Sequence, residues 1–218
     1  MLLGSPVISL IIPVYTVNNE LVEMTDRCLT SILRNTPPSV ELIVVDDGSP
    51  IPYSTDLGKL ITITENGGYS KAVNRALEEA EGEVLIIGNN DLIFHDNWLT
   101  ELLFPLNVGF DIATCWSSDQ ADIRQSDLIE KNTVFGCLLA LSRSVYEELG
   151  GFDEQFRGYF ADTDYRRRAI GRGFSIGKNC NMIIEHEAKA TYSVVDPDDY
   201  EFQRASYLYA EKWGEDED

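Results

Sequence analysis

The sequence predicts an α/β protein with a mostly parallel central sheet flanked by helices. Two observations carry that expectation. Three continuous apolar runs of strand length, Val7 to Val14, Val40 to Val45 and Val84 to Ile87, are rich in Ile and Val, as strands covered on both faces are. Segments with helical apolar spacing separate them. The order β-α-β-(β)-α-β-α favours parallel pairing, because each crossover helix packs back onto the sheet.

Each element follows from local chemistry. From Glu20 to Arg34, Leu21, Met24, Cys28, Leu29, Ile32 and Leu33 recur at helical spacing, and Asn35-Thr-Pro-Pro ends the helix. The Val40 strand stops at the turn-rich Asp46-Asp-Gly-Ser-Pro. Ile61 to Thr64 reads as a short strand. A helix from Tyr69 to Ala80 gathers Ala72, Val73, Ala76 and Leu77 on one stripe, with Gly82 past its end. The Val84 strand runs into Gly88-Asn-Asn-Asp91, and Asp96 is placed to cap a short helix ending at Pro105.

The second half is less regular. Ile112 to Trp116 and Val134 to Leu141 read as strands joined by a polar link from Ser117 to Lys131. Ser144 to Leu149 is a short helix closed by Gly150-Gly151, and Asp162 to Gly171 a helix carrying Arg166, Arg167 and Arg168. Ser175 to Lys178 and Met182 to Glu185 read as short strands. A last helix, Asp198 to Trp213, sets Phe202, Ala205, Leu208 and Tyr209 on one face.

Composition narrows the function. The 218 residues fit a single domain over 1–218, without repeat or linker, and 44% apolar content excludes disorder. Seventeen basic side chains against 37 acidic ones, net charge −20, argue against a nucleic-acid binder and against adsorption to anionic membranes. A compact anion still binds where a cation or a helix N-terminus supplies positive field. Cys28, Cys115, Cys137 and Cys180 lie far apart with no Cys-x-x-Cys, which reads as reduced, buried thiols of a cytoplasmic protein. The run at Val7 is broken by Pro13 and too short for a signal peptide, and no stretch reaches the ~18 apolar residues of a membrane span. The acidic end, Glu215 to Asp218, reads as a solubility feature.

Ligands of open parallel sheets sit at the carboxyl ends of strands. The polar clusters Tyr15-Thr-Val-Asn, Asp46-Asp-Gly-Ser and Asn89-Asn-Asp are therefore expected on one rim. Pro13-Val-Tyr15, Val44-Val-Asp-Asp-Gly-Ser49, Glu65-Asn-Gly-Gly-Tyr-Ser-Lys-Ala-Val-Asn74, Asn89-Asn-Asp91, Gly150-Gly-Phe-Asp-Glu154 and Phe160-Ala-Asp162-Thr-Asp164 occur in that order. The series resembles the inverting glycosyltransferases of family 2, in particular small soluble, rhamnosyltransferase-like members, from about Val7 to Trp213. The resemblance implies the GT-A fold, with a small antiparallel element on the acceptor side. It also implies a nucleotide-sugar-binding half over 1–110 and an acceptor and catalytic half over 111–218. The implied reaction moves a sugar from a nucleoside diphosphate sugar, UDP-sugar favoured, to a hydroxyl of a glycan, lipid-linked or protein acceptor. The implied cofactor is Mn²⁺ or Mg²⁺.

The resemblance also assigns residues. Pro13, Val14 and Tyr15 would lie beside the nucleotide. Asp46 would accept the ring N–H of the base; its alternative is an Asx-turn residue shaping Asp-Gly-Ser. The amides of Asn66-Gly67-Gly68 and the helix N-terminus would approach a diphosphate, Lys71 would add charge, Asn74 would brace the donor site, and Asn90 would line it. Asp91 would be the principal metal ligand, with Asn89 standing where the family's first Asp is expected. His186 would be a second ligand, whereas His95 reads as surface. Asp162 would be the general base that takes the acceptor's proton; Ala161 departs from the Glu often found before it. Gly136 and Gly151 would line the acceptor side. Trp116 and Tyr159 are either sugar-stacking aromatics or edge packing. The rival functions are a glycan- or sugar-nucleotide-binding protein that lost catalysis, and a nucleotidyltransferase. Absence of Gln-x-x-Arg-Trp argues against a processive synthase.

Overall fold

The computed structural model describes residues 8–119, 129–132, 136–187 and 190–214. Strand β1 (Ile8–Val14) pairs in parallel with β2 (Glu41–Asp47) on one side and β4 (Val84–Gly88) on the other; β3 (Lys59–Ile63) adds in parallel outside β2. Helices α1 (Asn19–Asn35) and α2 (Tyr69–Glu79) are the crossovers. Antiparallel pairing begins where β8 (Leu138–Ser142) joins β4 and then β6 (Ile112–Ser117). Strand β9 (Ile176–His186) runs parallel to β6 and takes β5 (Leu92–Ile93) and β7 (Ile129–Lys131) antiparallel. The remaining helices are α3 (Trp98–Asn107), α4 (Arg143–Leu149), α5 (Ala161–Gly171), α6 (Ala190–Val195) and α7 (Tyr200–Trp213).

Alternation along β1 sorts the core into two layers. Ile11 joins Val45, Val73 and Leu77 on the α2 side, where Phe152 and Tyr165 also pack. Leu10 and Ile12 join Val44, Leu29 and Ile32 on the α1 side, continuing to Trp98 and Leu102. Full burial of each such side chain contributes about 1.5–3 kcal/mol. All four cysteines are free and buried, and burial pushes the Cys28 and Cys115 thiols up to about 12.

Several expectations need correction. Leu33 is 61% exposed, because α1 turns Ser31 inward instead, where its hydroxyl donates to Cys28 O and accepts from Phe94 N. Asp96 caps nothing: α3 starts after Asn97, which has left-handed backbone, and Pro105 lies inside the helix. The two short strands expected after Ser175 are one strand, β9. Its register against β6 slips between Asn179 and Ile183, the stretch in which polar Asn179 and Asn181 interrupt the apolar pattern. The link from Ser117 contains β7, and residues 120–128 of it lie outside the described residues. Of the strand expected from Val134, residues 134 and 135 also lie outside, and β8 itself starts at Leu138. Strand β3 begins at Lys59, and β5 and α6 had no expectation. The last helix starts at Tyr200, where the Asp196 carboxylate accepts from the Tyr200 and Glu201 amides. The acidic end at 215–218 is outside the described residues.

Candidate active site

Because β1, β2 and β4 are parallel neighbours, their carboxyl ends fall on one rim, as expected. They border a cavity of about 540 Å³ lined by Tyr15, Asp47, Asn66, Asn90 and Asp91, among others. Consecutive strand residues face opposite ways, and this separates the two aspartates at the end of β2. Asp46 turns inward: its carboxylate accepts from Ser49 N (3.1 Å) and Tyr53 N (3.2 Å), and Ser49 Oγ in turn accepts from Thr16 N (2.8 Å). It shapes the turn and does not line the cavity, so the Asx-turn alternative describes its contacts.

Asp47 faces the cavity. Its carboxylate accepts from Gly67 N (2.9 Å), Gly68 N (2.8 Å) and Asn66 Nδ2 (2.9 Å). Those glycine amides were expected to meet a diphosphate; here an aspartate occupies them, as a carboxylate at a helix N-terminus should. Burial raises the Asp47 carboxyl above its ordinary range, opposed by the two amides and by the charges of Arg157 and Lys71. Arg157, which the sequence did not single out, donates from Nη2 to Asn66 Oδ1 (2.7 Å) and Asn66 O (3.0 Å), and lines the cavity. Gly68, at φ +90°, is required here: a Cβ would lie 2.6 Å from Arg157 Cβ.

Strand register brings Asp91 and His186 together. Leu92 of β5 pairs with His186 of β9, and Glu187 N donates to Asp91 O (3.0 Å). Asp91 Oδ1 and His186 Nε2 are buried and face each other at 3.2 Å, with no other hydrogen-bond partner among the described residues. On the other edge of the imidazole, Nδ1 lies 3.0 Å from Asp119 Oδ1. Burial opposes protonation of His186, but the Asp91 and Asp119 carboxylates outweigh it and raise its pKa. A carboxylate oxygen and an imidazole nitrogen whose lone pairs converge on a cavity wall fit a divalent cation whose remaining ligands would be phosphate oxygens and water. Among the described residues no group of three or more His, Cys, Asp or Glu is arranged to hold a metal.

A smaller cavity of about 250 Å³ shares Tyr69, Asn89, Tyr159 and His186 with the first and contains Asp162. Asp162 opens α5, where Phe160 enters the helix with left-handed backbone (φ 62°), a strain of order 1–3 kcal/mol that concentrates at functional sites. Burial raises the Asp162 carboxyl above its ordinary value, held back by the amides of Thr163 and Gly136. Such a carboxylate is a stronger proton acceptor than an exposed one.

Of the remaining expected residues, Pro13, Val14 and Gly68 line the larger cavity, whereas Lys71 does not and is exposed on α2. Asn74 braces the Phe152 loop, accepting from Phe152 N and donating to Phe152 O, both at 2.8 Å. Gly136 lines the smaller cavity, while Gly151 packs against Asn74, where a Cβ would lie 2.4 Å from Oδ1. Trp116 is buried in β6 beneath Lys178 Nζ, 4.2 Å from the ring centroid, and lines neither cavity. Tyr159 borders both cavities. His95 is exposed, as expected, 3.3 Å from Glu185. Arg157 and Asp119 carried no local signal, since each matters only through a partner remote in sequence.

Residues 9–127 match the family model described as Glycosyl transferase family 2. An uncharacterized glycosyltransferase of Rickettsia typhi is 25% identical over 94% of this chain and 72% of its own length. The dolichol-phosphate mannosyltransferase of Pyrococcus furiosus is 32% identical over 49% of this chain and 32% of that protein. Among solved structures, a mannosyltransferase from Pyrobaculum calidifontis in complex with GDP-Man and Mn²⁺ superposes with TM-score 0.67 at 21% identity, over 88% of this chain and 60% of that one. S. aureus TarS 1–349 in complex with UDP gives 0.63 at 19%, over 82% and 59%. The chain thus spans about 60% of those two structures. Its fold is GT-A, as these likenesses show.

Proposed function

This chain belongs to glycosyl transferase family 2, and on that premise we propose that it transfers a hexose from a nucleoside diphosphate sugar to an acceptor hydroxyl with inversion. The observation that carries the reading is the adjacency of two groups: the Asp91–His186 pair, 3.2 Å apart in one cavity, and half-buried Asp162 in the cavity adjoining it. The 540 Å³ space suits a nucleotide. Tyr15 and the end of β1 would flank the base, and residues 1–110 supply most of that wall. Asp91 and His186 would hold Mn²⁺ or Mg²⁺, which when bound neutralises the departing diphosphate. Asp162, from the half spanning 111–218, takes the proton of the acceptor hydroxyl as its oxygen attacks the anomeric carbon opposite the leaving group. Among the described residues no helix is long and apolar enough to cross a membrane, and the four free thiols suit a cytoplasmic setting.

The test is nucleoside diphosphate release from a panel of UDP- and GDP-hexoses, with glycan, lipid-linked and protein acceptors, with and without Mn²⁺ or Mg²⁺. Metal-dependent release with one donor is the expected result. Tight donor binding with no turnover on any acceptor would leave a sugar-nucleotide-binding protein instead.

A further inference from the structure

The two residues that follow β6 hold His186 at two points. Ser118 Oγ accepts from the His186 backbone N–H (3.0 Å), and Asp119 Oδ1 lies 3.0 Å from Nδ1. The opposite ring nitrogen, Nε2, is buried and faces Asp91 Oδ1 at 3.2 Å, with no other hydrogen-bond partner among the described residues. An imidazole that places Nδ1 against a carboxylate carries its proton there, leaving the Nε2 lone pair for a cation. Without that partner the ring is free to rotate, or to put its proton on Nε2 and pair with Asp91, which closes the site to a metal.

We propose that Asp119 is a positioning residue that fixes the tautomer and orientation of His186, so that Nε2 and the Asp91 carboxylate present one two-point cation site. The proposal rests on the metal reading given under Proposed function. The Asp119 side chain is 37% exposed, so as a surface ion pair it would add little to stability. Its value lies in what it does to the ring. The His95–Glu185 pair, with both side chains more than half exposed and outside both cavities, is a built-in control of the same chemistry.

The experiment titrates Mn²⁺ by the loss of its free-ion electron paramagnetic resonance signal, with UDP or GDP present, in wild type and in Asp119→Ala, Asp119→Asn and Glu185→Gln. Loss of a partner behind a ligating His costs about 10–100-fold in metal affinity, and that is the fall expected for Asp119→Ala. Asp119→Asn, whose Oδ1 still accepts from Nδ1–H, should recover a good part of it, and Glu185→Gln should match wild type. Asp119→Ala within twofold of wild type overturns the proposal. So does an equal loss in Asp119→Ala and Asp119→Asn, which assigns the effect to charge alone. If Asp119→Ala fails to fold, Asp119→Leu, close in size and unable to accept from Nδ1–H, takes its place: a fall of about 10–100-fold supports the proposal, and affinity within twofold of wild type overturns it. A wild type that binds no Mn²⁺ with either nucleotide overturns the metal reading itself, a result distinct from the others.

Discussion

In the parallel half of the sheet, β1 to β4, the interior is mostly apolar, and the buried carboxylates of Asp46 and Asp47 stand at a strand end, where backbone amides meet them. In the second half a buried carboxylate is met by cations. Asp164, 0% exposed, accepts from Arg168 Nε (2.9 Å) and Trp213 Nε1 (2.9 Å) and meets Lys212 Nζ (2.6 Å); Lys212 also reaches Asp153 Oδ2 (2.6 Å). Arg168 further donates to the Leu149 and Gly151 carbonyls. One half is therefore assembled by apolar burial along a local pattern. The other depends on a buried charge network that ties α7 to α5, two residues from Asp162. Apolar contacts tolerate small errors of placement; a buried carboxylate has to be satisfied or it costs stability.

Four substitutions test that contrast. The largest expected effect falls on activity. Asp162→Asn should lower kcat by about 10²–10⁴-fold, the usual worth of a positioned base. Its stability should move the other way. Burial raises the folded-state pKa of Asp162, so the folded protein holds the proton more tightly than the unfolded chain does. The stability this gives is present below the ordinary carboxylate pKa and is lost as pH rises through the raised value. Asp162→Asn should thus melt above wild type at pH 7 and level with it below about pH 4. The acid limb of wild-type kcat/KM should correspondingly lie above an ordinary carboxylate's range. Full turnover by Asp162→Asn would remove the assigned base.

Next comes the charge network. Asp164→Ala leaves two cations and an indole N–H without their shared acceptor, and should cost about 3–5 kcal/mol in denaturant unfolding. A cost under about 1 kcal/mol would mean that α7 is held by its apolar contacts alone, and the contrast between the halves would fail. At the seam between the halves, Gly68→Ala forces φ +90° on a residue with a Cβ and pushes it against Arg157, for about 1–3 kcal/mol. Because Arg157 and Asn66 line the cavity, the donor KM should rise more than kcat falls. The smallest effect belongs to the surface of the parallel half. Lys59→Ala breaks a half-exposed pair with Glu79, and its melting temperature should match wild type.

Legibility followed the same division. Strands β1, β2 and β4 and helices α1 and α2 announce themselves because period and burial coincide within a few residues. Rim placement of Tyr15, Asn90 and Asp91 follows directly from parallel order. Strand β9 reads as two in sequence because Asn179 and Asn181 interrupt its apolar residues where its pairing with β6 slips. Asp46 and Asp47 are chemically identical neighbours, and only the pleat decides which one faces the cavity. Leu33 fits a helical stripe yet is exposed, since Ser31 found better partners inside.

By itself the sequence determined the alternating α/β order and the strand ends at which a ligand would sit, because those depend on neighbours within one or two turns of chain, and the family, because its short motifs keep their order along the chain. Tertiary structure alone decided that Asp47 rather than Asp46 faces the cavity, that Arg157 lines it, and that His186 stands between Asp91 and Asp119. Each of those rests on contacts between segments tens of residues apart, set by strand register and by the need to satisfy every buried polar group, and no local pattern encodes either.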